Sequence, residues 1–258
     1  MNVRSDIRAQ GVLYFTLDSP DTRNAMGDEL LDELLSCLEA ARADDSIRVV
    51  VLTSSHEHIF SAGGDLKAFG DDGPLADKYR GLDRFPRLFT LIGNLGKPAI
   101  CAANGDVLAG AFGLALSCDL VIAKESARFG CPEINVGVFP FMISALIYRN
   151  IDRMKANELM MLGELVTAAE GVALGFVNRV VADAEFDAEV LAWAEKVASK
   201  SPLLMRLGKQ ALATTRDLSQ GEALDALQAQ LALAFSTDDM REGVAAFREK
   251  REPNWTLR

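Results

Sequence analysis

Leu108-Ala109-Gly110-Ala111-Phe112-Gly113 follows the apolar run Ala99-Ile100-Cys101-Ala102, and Ser61-Ala62-Gly63-Gly64-Asp65-Leu66 follows Val49-Val50-Val51-Leu52 in the same way. In each case a β-like run passes through a polar linker into a glycine-rich turn, and then into a segment able to turn helical. That order places backbone N–H groups at the start of a helix, where the first donors have no intrahelical acceptor and the dipole favours negative charge. Taken singly, either turn reads as an ordinary strand-to-helix connection. Taken together, they read as two donors converging on one oxygen that gains negative charge during a reaction.

Outward from the two turns, the chain begins with strands and ends with helices. Val12-Leu13-Tyr14-Phe15-Thr16-Leu17 reads as a strand, and Asp28 to Ala43 carries Leu30, Leu31, Leu34, Leu35 and Leu38 at helical spacing. Val49 to Thr53 and Asp119 to Ala123 read as further strands. Phe69 to Pro74, with Gly70, Asp71, Asp72 and Gly73, reads as a mobile loop before a helix from about Ala76 to Leu95. From Met154 onward the pattern is mostly helical, and Val190, Trp193, Ala194 and Val197 mark a core face. No internal repeat, low-complexity tract or long linker interrupts the chain.

Composition bounds the possibilities. A chain of 258 residues, 49% hydrophobic, fits one large α/β domain with a buried core. With 27 basic against 37 acidic residues the net charge is −10, which argues against a nucleic-acid or anionic-membrane partner, since phosphate affinity needs clustered Lys and Arg. Cys37, Cys101, Cys118 and Cys131 lack C-x-x-C spacing and read as reduced, mostly buried thiols. His56 and His58 are the only histidines, in a pattern better suited to a solvated loop than to a metal site, so no metal is expected. The longest apolar run, Val136 to Tyr148, is short and broken by Pro140, and the N-terminus lacks a basic segment followed by an apolar core. A cytoplasmic location is the expectation.

A third element brings in a carboxylate: Phe129-Gly130-Cys131-Pro132-Glu133-Ile134-Asn135-Val136-Gly137-Val138-Phe139-Pro140. Glu133 follows a proline and is flanked by Ile134, Val136, Val138 and Phe139, a setting that would raise its pKa toward the range useful for proton transfer. By itself it reads as a capping or exposed glutamate near a turn. With these three elements in order, the chain resembles the crotonase superfamily, the enoyl-CoA hydratase and isomerase group of acyl-CoA enzymes. The resemblance runs from Arg23-Asn24-Ala25-Met26 to Phe247-Arg248-Glu249-Lys250-Arg251-Glu252-Pro253, nearly the whole chain. It implies an α/β fold, a spiral of repeated β-β-α units over residues 1–195, followed by a helical trimerisation region over residues 196–258. A homotrimer or a dimer of trimers is implied with it.

The resemblance also implies roles. Gly64 and Gly110 would supply the two oxyanion N–H groups, and Glu133 the acid/base. In the hydratases of this family two glutamates share a water; the second would stand three residues after Gly110, where this chain has Gly113. One carboxylate suffices for a Δ3-Δ2 double-bond shift, which places enoyl-CoA isomerisation ahead of enoyl-CoA hydration. A third reading is a non-catalytic acyl-CoA-binding scaffold. Phe141 stands where the family's dienoyl-CoA isomerases and aryl-CoA dehalogenases carry an aspartate, which disfavours those two chemistries, and Phe139-Pro140-Phe141-Met142-Ile143 implies a reshaped acyl pocket. Arg23, Ala25, Ala62, Asp65 and Leu66 would line the coenzyme A, with Phe247 and Lys250 reaching from a neighbouring subunit. Coenzyme A is part of the substrate, so no separate cofactor is expected. Asp106 reads as a turn former, Asp65 as a helix cap and Asp119 as structural.

Overall fold

A computed structural model describes residues 1–65, 74, 76, 79 and 81–257. The expected loop at residues 69–73 and the site position Leu66 lie outside the described residues. Among the described residues ten strands fall into two sheets: β1 (Val3–Arg8), β2 (Val12–Leu17), β3 (Val49–Ser54), β5 (Ala99–Ala103), β7 (Leu120–Lys124) and β10 (Arg179–Val181) in one, β4 (Ile59–Ser61), β6 (Asp106–Leu108), β8 (Arg128–Gly130) and β9 (Leu165–Thr167) in the other. Pairing is parallel throughout except for the β1–β2 hairpin and the β8–β9 edge.

The chain alternates between the sheets. Each of β3, β5 and β7 in the first sheet is followed directly by a short strand in the second, and then by helix: α2 (Arg84–Gly93) after β4, α3 (Gly110–Ser117) after β6, α4 (Phe141–Asn150) and α5 (Arg153–Leu162) after β8. This is the β-β-α spiral. α1 (Asp28–Ala43) precedes it. α6 (Ala168–Ala173), α7 (Phe186–Ala198), α8 (Pro202–Thr215), α9 (Gln220–Phe235) and α10 (Asp238–Glu249) follow, and α7 runs through position 195.

The central strands β2, β3, β5 and β7 of the larger sheet are buried on both faces, which is why they read as continuous apolar runs rather than as alternations. Leu13, Phe15, Leu17, Val50, Leu52, Cys101 and Val121 face the main core with the leucines of α1. Their neighbours Val12, Tyr14, Val49, Val51, Ile100 and Ile122 face a second cluster built with Phe186, Val190, Ala194 and Ala198 of α7. Two-residue periodicity puts successive side chains on opposite faces, so one strand serves both layers.

Polar anchors fix the strand ends. The Asp119 carboxylate accepts from the Ala99 amide at 2.7 Å and from the buried Lys209 ammonium at 2.6 Å, tying α8 to the sheet. Asp106 does more than form a turn: it sits in β6 and takes the Arg128 guanidinium at 3.1 and 2.6 Å, clamping β6 to β8. The reading of residues after Met154 as mostly helical misses β9 and β10, three-residue strands too short to show periodicity. β1 is missed too, because Arg4, Ser5, Asp6 and Arg8 make an edge strand with an exposed, polar sequence. The described cysteines are free thiols, Cys101 and Cys131 buried, Cys37 and Cys118 partly so. Among the described residues no helix is long and apolar enough to cross a membrane.

Candidate active site

The two glycine turns meet. Gly63 has φ +87°, and a Cβ placed there would lie 2.5 Å from the Ala109 methyl, 2.6 Å from the Leu108 carbonyl oxygen and 3.1 Å from the Gly110 nitrogen. Only a residue without a side chain permits this approach. The first turn is stitched along the segment after Arg23: Ala62 N–H donates to Arg23 O at 3.0 Å, Met26 N–H to Gly63 O at 2.7 Å, and the Ser61 hydroxyl to Asn24 O at 2.7 Å. Asn24 is fully buried, and its side-chain amide donates to Ser54 Oγ and to Phe60 O, so it pins this segment across the sheet. The second turn is held by Ala109 N–H donating to Gly130 O at 2.9 Å and Phe112 N–H donating to Ala109 O at 2.8 Å. Gly110 then opens α3, where its N–H has no intrahelical acceptor. Among the described residues neither the Gly64 nor the Gly110 amide donates to a protein acceptor.

Both glycines line a cavity of about 450 Å³. Its opposite wall is the turn Pro132–Val136 and the start of α4, contributing Glu133, Phe139, Phe141, Met142 and Ile143 among others. All five residues Phe139 to Ile143 line it, and Phe141 is 75% exposed. Glu133 is the one ionisable side chain among the described lining residues. Its Oε2 is buried and has no hydrogen-bond partner. Burial penalises the charged form more than a hydrogen bond from its own backbone N–H favours it, and the Glu133 carboxyl is raised to about 7 from 4.5. The neighbouring Cys131 thiol is raised by burial first and by the Glu133 charge second, which makes it an inert core group.

The place of a second carboxylate is closed. A Cβ at Gly113 would lie 2.5 Å from Ile143 Cγ2 and 2.7 Å from Phe89 Cζ, both on buried side chains. Phe85 lies against Gly110 in the same manner, with its ring edge 2.6 Å from where a Cβ would be. Ile143 belongs to the stretch the resemblance assigns to the acyl pocket, whereas neither Phe85 nor Phe89 is marked by the sequence pattern; each reads there as one apolar helix residue among several.

The remaining sequence candidates divide. Ala62 lines the cavity. Arg23, exposed and left-handed at φ 56°, and Ala25 lie on the segment stitched to it. Asp65 is half-buried beside Gly27, its carboxylate 3.6 Å from where a Gly27 Cβ would stand. Phe247, 85% exposed, and Lys250, the left-handed cap of α10, do not line this chain's cavity. The two histidines sit in a tight loop in which His56 Nδ1 accepts from the His58 and Ile59 amides. Among the described residues no three metal-ligating side chains gather.

A family model described as enoyl-CoA hydratase/isomerase matches residues 8–258. The 2,3-dehydroadipyl-CoA hydratase of Escherichia coli K12 is 35% identical over 249 residues, 96% of each chain. Among solved structures, an enoyl-CoA hydratase of Mycobacterium smegmatis superposes with a TM-score of 0.95 at 31% identity, covering 99% of both chains. An enoyl-CoA hydratase of Bacillus anthracis does so with a TM-score of 0.95 at 29% identity, covering 100% of both.

Proposed function

The chain belongs to the enoyl-CoA hydratase/isomerase family, and from that premise we propose that it shifts the double bond of a 3-enoyl-CoA thioester to the 2-position, with Glu133 as the only acid/base. The observation that carries this reading is the solitary carboxylate: Glu133 is the one ionisable group among the described cavity residues, and Ile143 and Phe89 fill the space beside Gly113.

In the proposed reaction the Glu133 carboxylate takes a proton from C2 of the thioester. The C2–H electron pair moves into a dienolate whose oxygen accepts from the Gly64 and Gly110 amides. The Glu133 carboxylic acid then returns the proton to C4, and the dienolate collapses to the 2-enoyl thioester. No water is consumed, so no second carboxylate is needed to hold one. The apolar wall around Glu133 serves this chemistry twice. It keeps the carboxyl near neutrality, where its basicity and its acidity are matched at the operating pH, and it strengthens the field of the two amides. Arg23, Ala25, Ala62, Asp65 and Leu66 are assigned to the coenzyme A, with Phe247 and Lys250 reaching it from a second copy of the chain. The exposed Leu224, Leu231 and Phe235 of α9 support self-association, for which a trimer is the proposed form.

A paired assay tests the reading: isomerisation of 3-hexenoyl-CoA against hydration of crotonyl-CoA by the purified protein. Isomerisation is expected to exceed hydration by at least tenfold. The relatives named as hydratases favour the converse, and faster hydration would replace the single-carboxylate reading with one that holds a water. The pH profile gives a separate expectation. Because the base must be ionised in the free enzyme, kcat/KM for isomerisation rises about tenfold per pH unit at low pH and levels off above about 7. A profile flat from pH 5 to 8 would assign the proton transfer to another group.

A further inference from the structure

Ala109 combines a strained backbone with two contacts and a place next to Gly110 in the chain. Its φ of 52° and ψ of −126° lie outside both the right-handed and the left-handed helical regions. Gln10, Arg23 and Lys250 also have positive φ, but each rests in the ordinary left-handed well. Glycine adopts the Ala109 conformation freely, and alanine does so only when its surroundings impose it. The surroundings are explicit. The Ala109 N–H is bonded to Gly130 O, three residues before Glu133; its methyl rests on Gly63; and the next amide along the chain is that of Gly110. One residue thus touches the first turn, opens the second, and is anchored to the strand that leads into the Glu133 turn.

We propose that Ala109 is a positioning residue, whose methyl wedged against Gly63 sets the separation and direction of the Gly64 and Gly110 amides. The proposal rests on the assignment of those amides to the thioester oxygen, but not on which reaction follows. If the methyl were mere packing, its loss would lower stability and activity together. If strain alone mattered, a glycine would be as good or better. A wedge predicts a third pattern: removing the methyl relaxes the backbone and leaves a gap between the turns, so the fold is kept while the aim of the donors is lost.

The experiment compares the parent with Ala109→Gly and Ala109→Ser. Each is measured for melting temperature, for kcat and KM, and for the red shift of the absorption band of bound 2,4-hexadienoyl-CoA, which reports polarisation of the thioester carbonyl. For Ala109→Gly the expected result is a melting temperature at or above that of the parent, KM within twofold, kcat lowered about tenfold and the red shift at least halved. Ala109→Ser keeps the Cβ and is expected to keep kcat and the shift. A glycine variant with kcat and red shift within twofold of the parent overturns the proposal, and so does one whose melting temperature falls along with them. A parent that hydrates instead of isomerising defeats the function proposed above and still shows the shift, so the variants decide the wedge separately. A parent that binds the dienoyl ester with no shift defeats both.

Discussion

Glu133→Gln is expected to lower kcat for isomerisation by ~10²–10⁴-fold while acyl-CoA binding changes by no more than a few-fold, because the amide keeps the shape of the side chain and cannot accept the C2 proton. The cavity offers no substitute: its other described lining residues are glycine, alanine, proline and apolar side chains. A decrease of less than tenfold would show that Glu133 is not the base. The same substitution carries a stability signature that does not depend on the assay. In the folded chain the carboxyl is raised to about 7 from 4.5 by burial, so the folded state binds the proton more tightly than the unfolded chain does. The stability this proton confers is fully present below about 4.5 and is lost as pH rises through about 7, when a charge with one oxygen unpartnered must be held in an apolar wall. Glu133→Gln has no charge to hold. Its melting temperature relative to the parent is therefore expected to be more favourable at pH 8 than at pH 5, and calorimetry at the two pH values checks this. Equal differences at both would place the carboxyl in solvent.

The parts of this site that were legible in the sequence are those in which residue type and local order are the same signal. Gly63 and Gly110 come after the apolar runs that form β3 and β5, and the structure puts each just past the short strand that follows, β4 and β6. The α1 leucines repeat at helical spacing and all five are buried. The central strands β2, β3, β5 and β7 of the larger sheet could be read because both of their faces are covered, which keeps their sequences mostly apolar. What escaped the sequence lives in contacts between segments. Nothing in the local sequence marks Asn24 as the buried pin across the sheet that it is. Phe85 and Phe89 lie one helical turn apart on α2, and only the fold reveals that one packs on Gly110 and the other on Gly113. The short strands β4, β6, β8 and β9 have three residues each, fewer than a period-2 pattern needs to declare itself, yet they carry the second sheet and present both the second donor turn and Glu133. Asp106 shows the same limit: a carboxylate beside a glycine reads as a turn former, and its function as a clamp depends on Arg128, 22 residues away.

The contact that makes Gly63 obligatory also makes it the most sensitive backbone position of the site. Gly63→Ala is expected to lower kcat by ~10²–10³-fold, the equivalent of losing one donor from an oxyanion hole, about 2.7–4 kcal/mol of transition-state stabilisation. Two effects act together. At φ +87° an alanine is strained wherever it sits, a cost of about 1–3 kcal/mol. At this position its Cβ would also meet the Ala109 methyl at 2.5 Å and the Leu108 carbonyl at 2.6 Å, neither of which can swing aside as the end of a long side chain would. The turns must move apart, and the Gly64 and Gly110 amides separate with them. Gly175→Ala isolates the first effect, since Gly175 has a similar φ of +85° and nothing within 4 Å of its would-be Cβ. That variant is expected to lose a few degrees of melting temperature and no activity. Gly110→Ala gives an intermediate case, because what it meets is the Phe85 ring edge, which can tilt within the cavity wall. Measured side by side as kcat and melting temperature, the three substitutions should rank Gly63, then Gly110, then Gly175 in activity lost. If Gly63→Ala and Gly175→Ala lose the same small amount, the two turns yield independently and the rigid pairing of the donors is wrong.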